Sequence, residues 1–273
     1  ASDWGITLRQ GTFNMTTAAG QFRRTHDGGD LLPLYEAKLC QQFNHRHATF
    51  EGTRNSRRFG THAWANRASL SQLHDATFDT VPRYWVTRSE VERRGTKQPW
   101  LLVVRNAFSA LADARSLTST LIPHAGVGNS LTIVDSSHGP FGAAILAALL
   151  NSFMLDYVVR EKSTGSNLNF YVLRQLPIPD YARFASPNSW TNGATIGAWF
   201  VDRVLELSFT SLSMKPYANA LGFDGRPYGY EGKRRGELRA ELDAAVFILF
   251  GLRRFDVEHV MDCSLEKKSP PRM

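Results

Sequence analysis

The chain has 273 residues, of which 42% are hydrophobic and 21% charged, a composition that is typical of a globular protein and excludes an intrinsically disordered one. Its 32 Lys and Arg residues outnumber 25 Asp and Glu residues, and the resulting net charge of +7 favours a polyanionic partner. The two cysteines, Cys40 and Cys263, have neither a disulfide-framework spacing nor a zinc-ligand spacing.

The N-terminus shows no secretory signal, and the longest apolar stretch, residues 141–150, is too short to span a bilayer. We therefore expect a cytoplasmic protein that has no membrane partner. Because the sequence begins in mid-pattern without an initiator methionine, we also expect it to be a segment of a longer parent.

The first half of the chain is predicted to be rich in strands. Residues 1–30 alternate loosely in hydrophobicity and end in the turn sequence HDGGD, which indicates short strands and loops. Further strands are predicted where β-branched and aromatic residues concentrate, at 82–86, 101–104, 117–123 and 131–134.

The second half is predicted to be helical. Residues 141–160 follow Gly-Pro, are filled with Ala and Leu, and end in basic residues, which predicts one long central helix. Residues 194–209, 235–250 and 256–263 predict three more helices, and Gly251 is suited to follow the second of these. The sequence thus predicts an α+β fold: a β-rich domain, 1–185, with a long central helix, followed by a small helical C-terminal module, 186–273.

The cationic residues are concentrated in one part of the chain. Between Lys38 and Arg67 there are six Lys or Arg residues and a single acid, Glu51. Such a stretch is typical of a surface that holds DNA through its phosphates while a few side chains read base edges. The candidate DNA-binding residues are Lys38, His45, Arg46, His47, Arg54, Arg57, Arg58, Arg67, Arg83, Arg88, Arg93, Arg94, Lys97, Lys162, Ser166 and Asn167.

The segment FNHRH, residues 43–47, is the most distinctive part of that stretch. Along a strand, His45 and His47 would point to one face and Arg46 to the other. A metal site would need a third ligand, and none is spaced nearby, so phosphate and base-edge contacts fit better. The alternative interpretation is a solvated cationic face.

Two further features leave alternatives open. Trp64, Tyr84 and Trp85 are suited to pack against sugars or bases, although aromatic residues in a β-rich domain usually belong to the core. In the loop 163–169, the Gly, Ser and Asn residues either approach a phosphate through backbone N–H groups or cap the segment that begins at Phe170.

The chain lacks a complete catalytic motif. It contains neither a cofactor-binding Gly-rich loop nor the Asn/Asp-Pro-Pro-Tyr tetrad of adenine aminomethyltransferases nor Gly-x-Ser-x-Gly. Asp224, Glu231 and Lys233 formally match a Mg²⁺-dependent nuclease core, but in a Gly-rich loop that would not hold the carboxylates rigidly. We therefore expect no catalysis, no metal and no cofactor in this segment.

Four blocks of sequence resemble one family. LPLYEAK at 32–38 with QFNHR at 42–46 is similar to "LPLYEGK … FDHR", and NSFMLDYVVREK at 151–162 to "NSFVFDYVARQK". LNFYVLRQLPI at 168–178 resembles "LNFFVLEQLPV", and ELDAAVFILFGL at 241–252 resembles "ELDAAFFHLYGL". All are blocks of the C-terminal target-recognition region of Eco57I-like (Type II/IIG, BREX-like) adenine-N6 DNA methyltransferases of restriction-modification systems. Ala37 and Asn44 depart from the family's usual Gly and Asp.

The resemblance implies a function in phage defence. Residues 1–185 would be the target-recognition domain, which recognises a sequence in double-stranded DNA on behalf of an upstream methyltransferase domain of the same parent. In some members of the family a nuclease is fused to the methyltransferase. That parent would use S-adenosylmethionine, and Mg²⁺ where it carries a nuclease, outside this segment. The competing hypothesis is a protein-docking module of a defence complex, whose basic surface would be incidental.

Overall fold

The computed structural model describes residues 2–15, 19–60, 63–106, 115–163 and 167–266, and within them the chain has an α+β fold. Ser166, one of the candidate DNA-binding residues, lies outside these ranges. The described strands are β1 Thr7–Gln10, β2 Leu31–Tyr35, β3 Ala48–Thr49, β4 Asn66–Arg67, β5 Trp85–Thr87, β6 Trp100–Arg105, β7 Ser119–Pro123, β8 Gly126–Val127 and β9 Leu131–Asp135.

The described α-helices include the three predicted C-terminal ones. They are α1 Asn55–Arg58, α2 Leu70–His74, α3 Arg88–Arg93, α4 Gly139–Leu150, α5 Phe153–Lys162, α6 Phe170–Arg174, α7 Ile196–Ser208, α8 Lys215–Ala220, α9 Gly232–Leu249 and α10 Arg254–Glu266. Gly251 follows α9 with a φ of 68°, a left-handed conformation that glycine adopts without steric cost.

A four-stranded antiparallel sheet divides the molecule into two sides. Its strand order is β1-β9-β6-β7, and β2, β5 and β8 form a second sheet. Because side chains alternate along a strand, Leu102 and Val104 of β6 join the core formed by α4, α5, α7 and α9, whereas Leu101 and Val103 face the opposite way. We call these two sides the helical side and the hairpin side, the latter because it carries the β3–β4 hairpin.

The single helix predicted at 141–160 is wrong, because the segment forms two helices, α4 and α5, bent by 64°. The side chain of Asn151 pairs with the backbone of Ser119 in β7, donating to its carbonyl at 3.0 Å and accepting from its N–H at 2.9 Å. Ser152 then caps α5 by accepting a hydrogen bond from the N–H of Leu155. These contacts end one helix and start the next, which local sequence preferences do not reveal.

The helices on both sides of residue 185 share one hydrophobic cluster. Phe200 of α7 and Leu242 of α9 belong to the same cluster as Ile145 of α4 and Leu155 of α5. Within the described ranges, the C-terminal helices therefore complete the core of the preceding part. The predicted boundary at 185 stays a prediction about chain organisation.

No single helix in the described part of the chain is long and apolar enough to cross a membrane. The bent pair α4 and α5 reaches that length and composition only when the two helices are taken together.

Candidate nucleic-acid interface

A polar cleft on the hairpin side brings several of the candidate residues together. It has a volume of about 480 Å³ and lies between the β3–β4 hairpin and the segment before it. We call it the basic cleft, and its lining residues are Ala37, Lys38, Cys40, Gln41, His47, Ala48, Ala63, Trp64, Ala65, Arg67 and Arg105.

The basic cleft is cationic and has no acid among its lining residues. The ammonium of Lys38 donates to the carbonyl of Ala63 at 3.0 Å and lies 3.5 Å from the carboxylate of Glu36, which is buried behind it. Arg67 is exposed at the edge of the hairpin. The cleft thus concentrates positive charge where a polyanion can reach it.

One aromatic residue of the cleft is open to solvent. Trp64 is 68% exposed, which is unusual for so large an apolar side chain and suits stacking on a base or sugar. Tyr84 and Trp85, in contrast, are half-buried, and Tyr84 packs against the ring of Phe22. Of the three aromatic residues considered from the sequence, Trp64 is therefore the one suited to contact a ligand.

A second cationic surface, the arginine cluster, surrounds the rings of Phe59 and Tyr84. The guanidinium groups of Arg24 and Arg58 lie 4.8 and 5.2 Å from the centre of the Phe59 ring, and that of Arg83 lies 5.1 Å from the Tyr84 ring. Arg54 and Arg57 are exposed at α1 immediately before Phe59, and we include them in the cluster.

The arginine cluster and the basic cleft are neighbours, because both bind the same short piece of chain. Arg83 donates to the carbonyl of Gly60 at 3.0 Å, and Lys38 donates to the carbonyl of Ala63. Residues three apart are separated by at most about 11 Å even in a fully extended chain. The two surfaces therefore lie side by side.

The predicted strand geometry of the FNHRH segment is wrong, since residues 43–47 form turns. Arg46 is fully buried, and its guanidinium donates to the carbonyls of Asp75, Phe78, Leu73 and Thr210 at 2.7–3.0 Å. A guanidinium held in this way in the interior presents no atom to a duplex. We therefore correct the prediction that Arg46 contacts DNA and assign it a structural role.

The same correction applies to His45, which is buried beside Arg46. Its Nε2 lies 2.9 Å from the hydroxyl of Ser211, which ties the turn to the C-terminal half. Burial lowers the pKa of His45 well below its usual value, and the nearby charges of Arg46 and Arg235 lower it further. Of the two histidines of the FNHRH segment, His47 lines the basic cleft and His45 does not.

The depressed pKa of His45 predicts how stability depends on pH. Unfolding returns His45 to a pKa of about 6.5, so the unfolded chain binds more protons than the folded one below that pH. The free energy of unfolding should therefore fall as pH drops from 7 towards 5, with a slope of up to about 1.4 kcal/mol per pH unit. Urea denaturation at several pH values measures this slope, and His45→Gln should flatten it. An unchanged slope in that variant would contradict the assignment.

Most of the arginines in and beside α3 that were predicted to contact DNA form ion pairs with acidic residues of the chain itself. Glu90 accepts hydrogen bonds from both Arg93 and Arg94 at 2.7–2.9 Å, and these bonds lower the pKa of Glu90 to about 2. Arg88 pairs with Asp30 at 2.9 Å. These three arginines have less charge to offer a phosphate than those of the cleft, whereas Lys97 is exposed.

Lys162 and Asn167 lie away from the basic cleft. Lys162, at the end of α5, donates a hydrogen bond to the side chain of Gln175. Asn167 lines a separate cleft together with residues of β9 and α6. The side chain of Asn169 accepts from the N–H of Val172 and so caps α6, which is the structural alternative considered for this loop.

Among the described residues of these surfaces, three with guanidinium or amide side chains were not sequence candidates: Arg24, Gln41 and Arg105. Arg105 could have been found from the sequence, because side chains alternate along a strand and Arg105 therefore lies on the same face of β6 as Leu101 and Val103, the hairpin side. Arg24 could not have been found from the sequence, because it joins the cluster only through the packing of Phe59 against Tyr84.

The residues of the nuclease alternative have separate neighbours. The carbonyl of Asp224 accepts from Lys215, and the carboxylate of Glu231 lies 3.9 Å from His74. Across the described ranges, no three His, Cys, Asp or Glu side chains are grouped closely enough to hold a metal ion.

Comparison with known proteins gives this chain no family. No protein-family model matches it. It also has no significant match among curated proteins.

Proposed function

We propose that this chain binds double-stranded DNA and reads a target sequence as the specificity segment of a restriction-modification adenine-N6 methyltransferase. The observation that carries the proposal is the adjacency of the basic cleft and the arginine cluster, whose residues Lys38 and Arg83 bind carbonyls three residues apart in the chain. The proposal assigns methylation, with S-adenosylmethionine and any Mg²⁺, to other parts of the parent.

The two surfaces would have different tasks. Arg54, immediately before α1, and Arg57, within it, are exposed and would hold the duplex through its phosphates, a contact that carries no sequence information. Arg67 and Gln41, in the basic cleft, have the side-chain chemistry that reads guanine and adenine edges, respectively. Trp64 would pack against the DNA beside them.

A binding titration across salt concentrations tests this proposal with the 273-residue chain and a duplex of about 30 base pairs. Replacing three exposed arginines, Arg54→Ala, Arg57→Ala and Arg67→Ala together, should reduce the slope of log K against log salt by about 2 to 3, or about 0.9 for each lost phosphate contact. Fluorescence anisotropy with a labelled duplex measures both affinity and slope.

The matched control removes the same charge from the helical side. Arg174, Arg183 and Arg253 are exposed there, and the triple alanine variant should keep the wild-type slope. Equal losses in the two triple variants would indicate a nonspecific effect of net charge and contradict the proposal. Failure of the wild-type chain to bind duplex at low salt would favour the docking-module hypothesis instead.

A further inference from the structure

A small polar pocket extends the basic cleft towards the start of α9. It has a volume of about 110 Å³ and shares Gln41 and His47 with the cleft. We call it the α9 pocket, and its lining residues are Gln41, Gln42, Asn44, His47, Tyr230, Gly232, Arg235 and Arg239. None of these residues is an acid.

The pocket contains a buried cation that has no acidic partner. Arg235 is 6% exposed, and its guanidinium donates to the carbonyls of Leu207 at 2.6 Å and Phe43 at 3.1 Å. It lies 4.2 Å from the centre of the Tyr230 ring. No ion pair among the described residues includes Arg235, so its positive charge is buried without compensation by a carboxylate. An anion in the pocket would supply that compensation.

The start of α9 adds to the positive potential. Gly232 is the first residue of this 18-residue helix, and neither a capping side chain nor an acid occupies its first turn. The carboxylate of Glu231, immediately before the helix, is 70% exposed and faces His74. The first-turn N–H groups and the helix dipole therefore favour an anion beside Gly232.

Arg239 completes the set from the next turn of α9. Its side chain is exposed, and its Nε donates to the carbonyl of Arg235 at 3.2 Å, which holds the guanidinium over the pocket. Gly232, the first residue of α9, thus lines one space together with Tyr230, Arg235 and Arg239. This is the donor set that binds a phosphate group.

We propose that the α9 pocket holds a single phosphate group. A volume of about 110 Å³ has room for roughly three or four waters, which suits a tetrahedral oxyanion. The inference rests on the proposed function only for the source of the phosphate, which would be the DNA backbone beside the basic cleft.

Titration of the full chain with inorganic phosphate at constant ionic strength tests the pocket itself. Saturable changes in the amide ¹H–¹⁵N resonances of Gly232 and Lys233 are expected. Arg239→Ala should weaken phosphate binding about tenfold or more, because it removes a charged hydrogen-bond donor. Arg234→Ala is the matched control, since Arg234 lies on the same helix but is held by Glu206 at 2.8 and 3.0 Å, and it should change the affinity less than twofold.

Competition with a 30-base-pair duplex identifies the source. Displacement of phosphate by the duplex, together with a DNA salt slope reduced by about 1 in Arg239→Ala, supports a backbone phosphate. Phosphate binding at Gly232 without any duplex binding would keep the pocket but refute the proposed function. Duplex binding with no response at Gly232, and equal behaviour of the Arg239→Ala and Arg234→Ala variants, would refute the pocket and leave the proposed function standing.

Discussion

Arg46→Met should lower the free energy of unfolding by about 3–5 kcal/mol, because a buried carbonyl that loses its only donor costs about 1–3 kcal/mol. The substitution leaves the carbonyls of Asp75, Phe78, Leu73 and Thr210 without their donor in the protein interior. Because Thr210 lies in the C-terminal half, the loss of its hydrogen bond with Arg46 should weaken the attachment of residues 43–47 to the C-terminal helices. Urea denaturation followed by circular dichroism measures the change.

Two further variants separate this role from charge alone. Arg46→Lys should recover only part of the loss, because a single ammonium has three donors and cannot span four carbonyls. Arg54→Met removes an exposed arginine of the same stretch and should change stability by less than about 0.5 kcal/mol. Equal stability of the Arg46→Met and Arg54→Met variants would contradict the structural role of Arg46.

Asp156→Asn should be comparably destabilising, by about 3–5 kcal/mol. The Asp156 side chain is fully buried, and its Oδ1 accepts from the backbone N–H groups of Ser116 at 2.6 Å and Leu117 at 2.7 Å. Its Oδ2 accepts from Arg160 at 2.8 Å, which forms an i,i+4 ion pair within α5. The substitution therefore removes the negative charge that pairs with Arg160 and weakens the attachment of α5 to the segment that leads into β7.

An exposed ion pair provides the control for Asp156. Glu206 binds Arg234 at the surface, where water screens the interaction, and Glu206→Gln should cost less than about 1 kcal/mol. A double-mutant cycle with Arg160→Met measures how much of the Asp156 effect comes from the ion pair. Chemical denaturation of the four chains supplies the values, and a loss below 1 kcal/mol in Asp156→Asn would refute this account.

These contacts assign a physical role to two of the sequence blocks that carried the family resemblance. The block at 42–46 is a junction, because His45 binds Ser211, Arg46 binds Thr210, and Arg235 of α9 binds the carbonyl of Phe43. The block at 151–162 contains the helix break and the Asp156 pair. Both blocks hold parts of the fold together, whereas the residues suited to meet DNA lie between and around them.

Much of the secondary structure was determined by local patterns. Hydrophobic alternation and β-branched residues placed β6 and β9, and the spacing of apolar residues together with Gly251 placed α7 and α9, because these signals depend on neighbours in sequence. The same reasoning failed at Asn151, where a side-chain contact with Ser119, 32 residues away, breaks an otherwise favourable helical run.

The candidate site, like the secondary structure, was determined partly by the sequence and partly by contacts between residues distant in the chain. The sequence by itself determined that positive charge concentrates between Lys38 and Arg67, since charge is a property of composition. Only the tertiary structure decided which charges face outwards: it buries Arg46, pairs Arg88 with Asp30, and brings Arg24 to the arginine cluster. The physical reason is that a side chain's exposure and partners depend on residues distant in the chain, and those are set by packing rather than by sequence spacing.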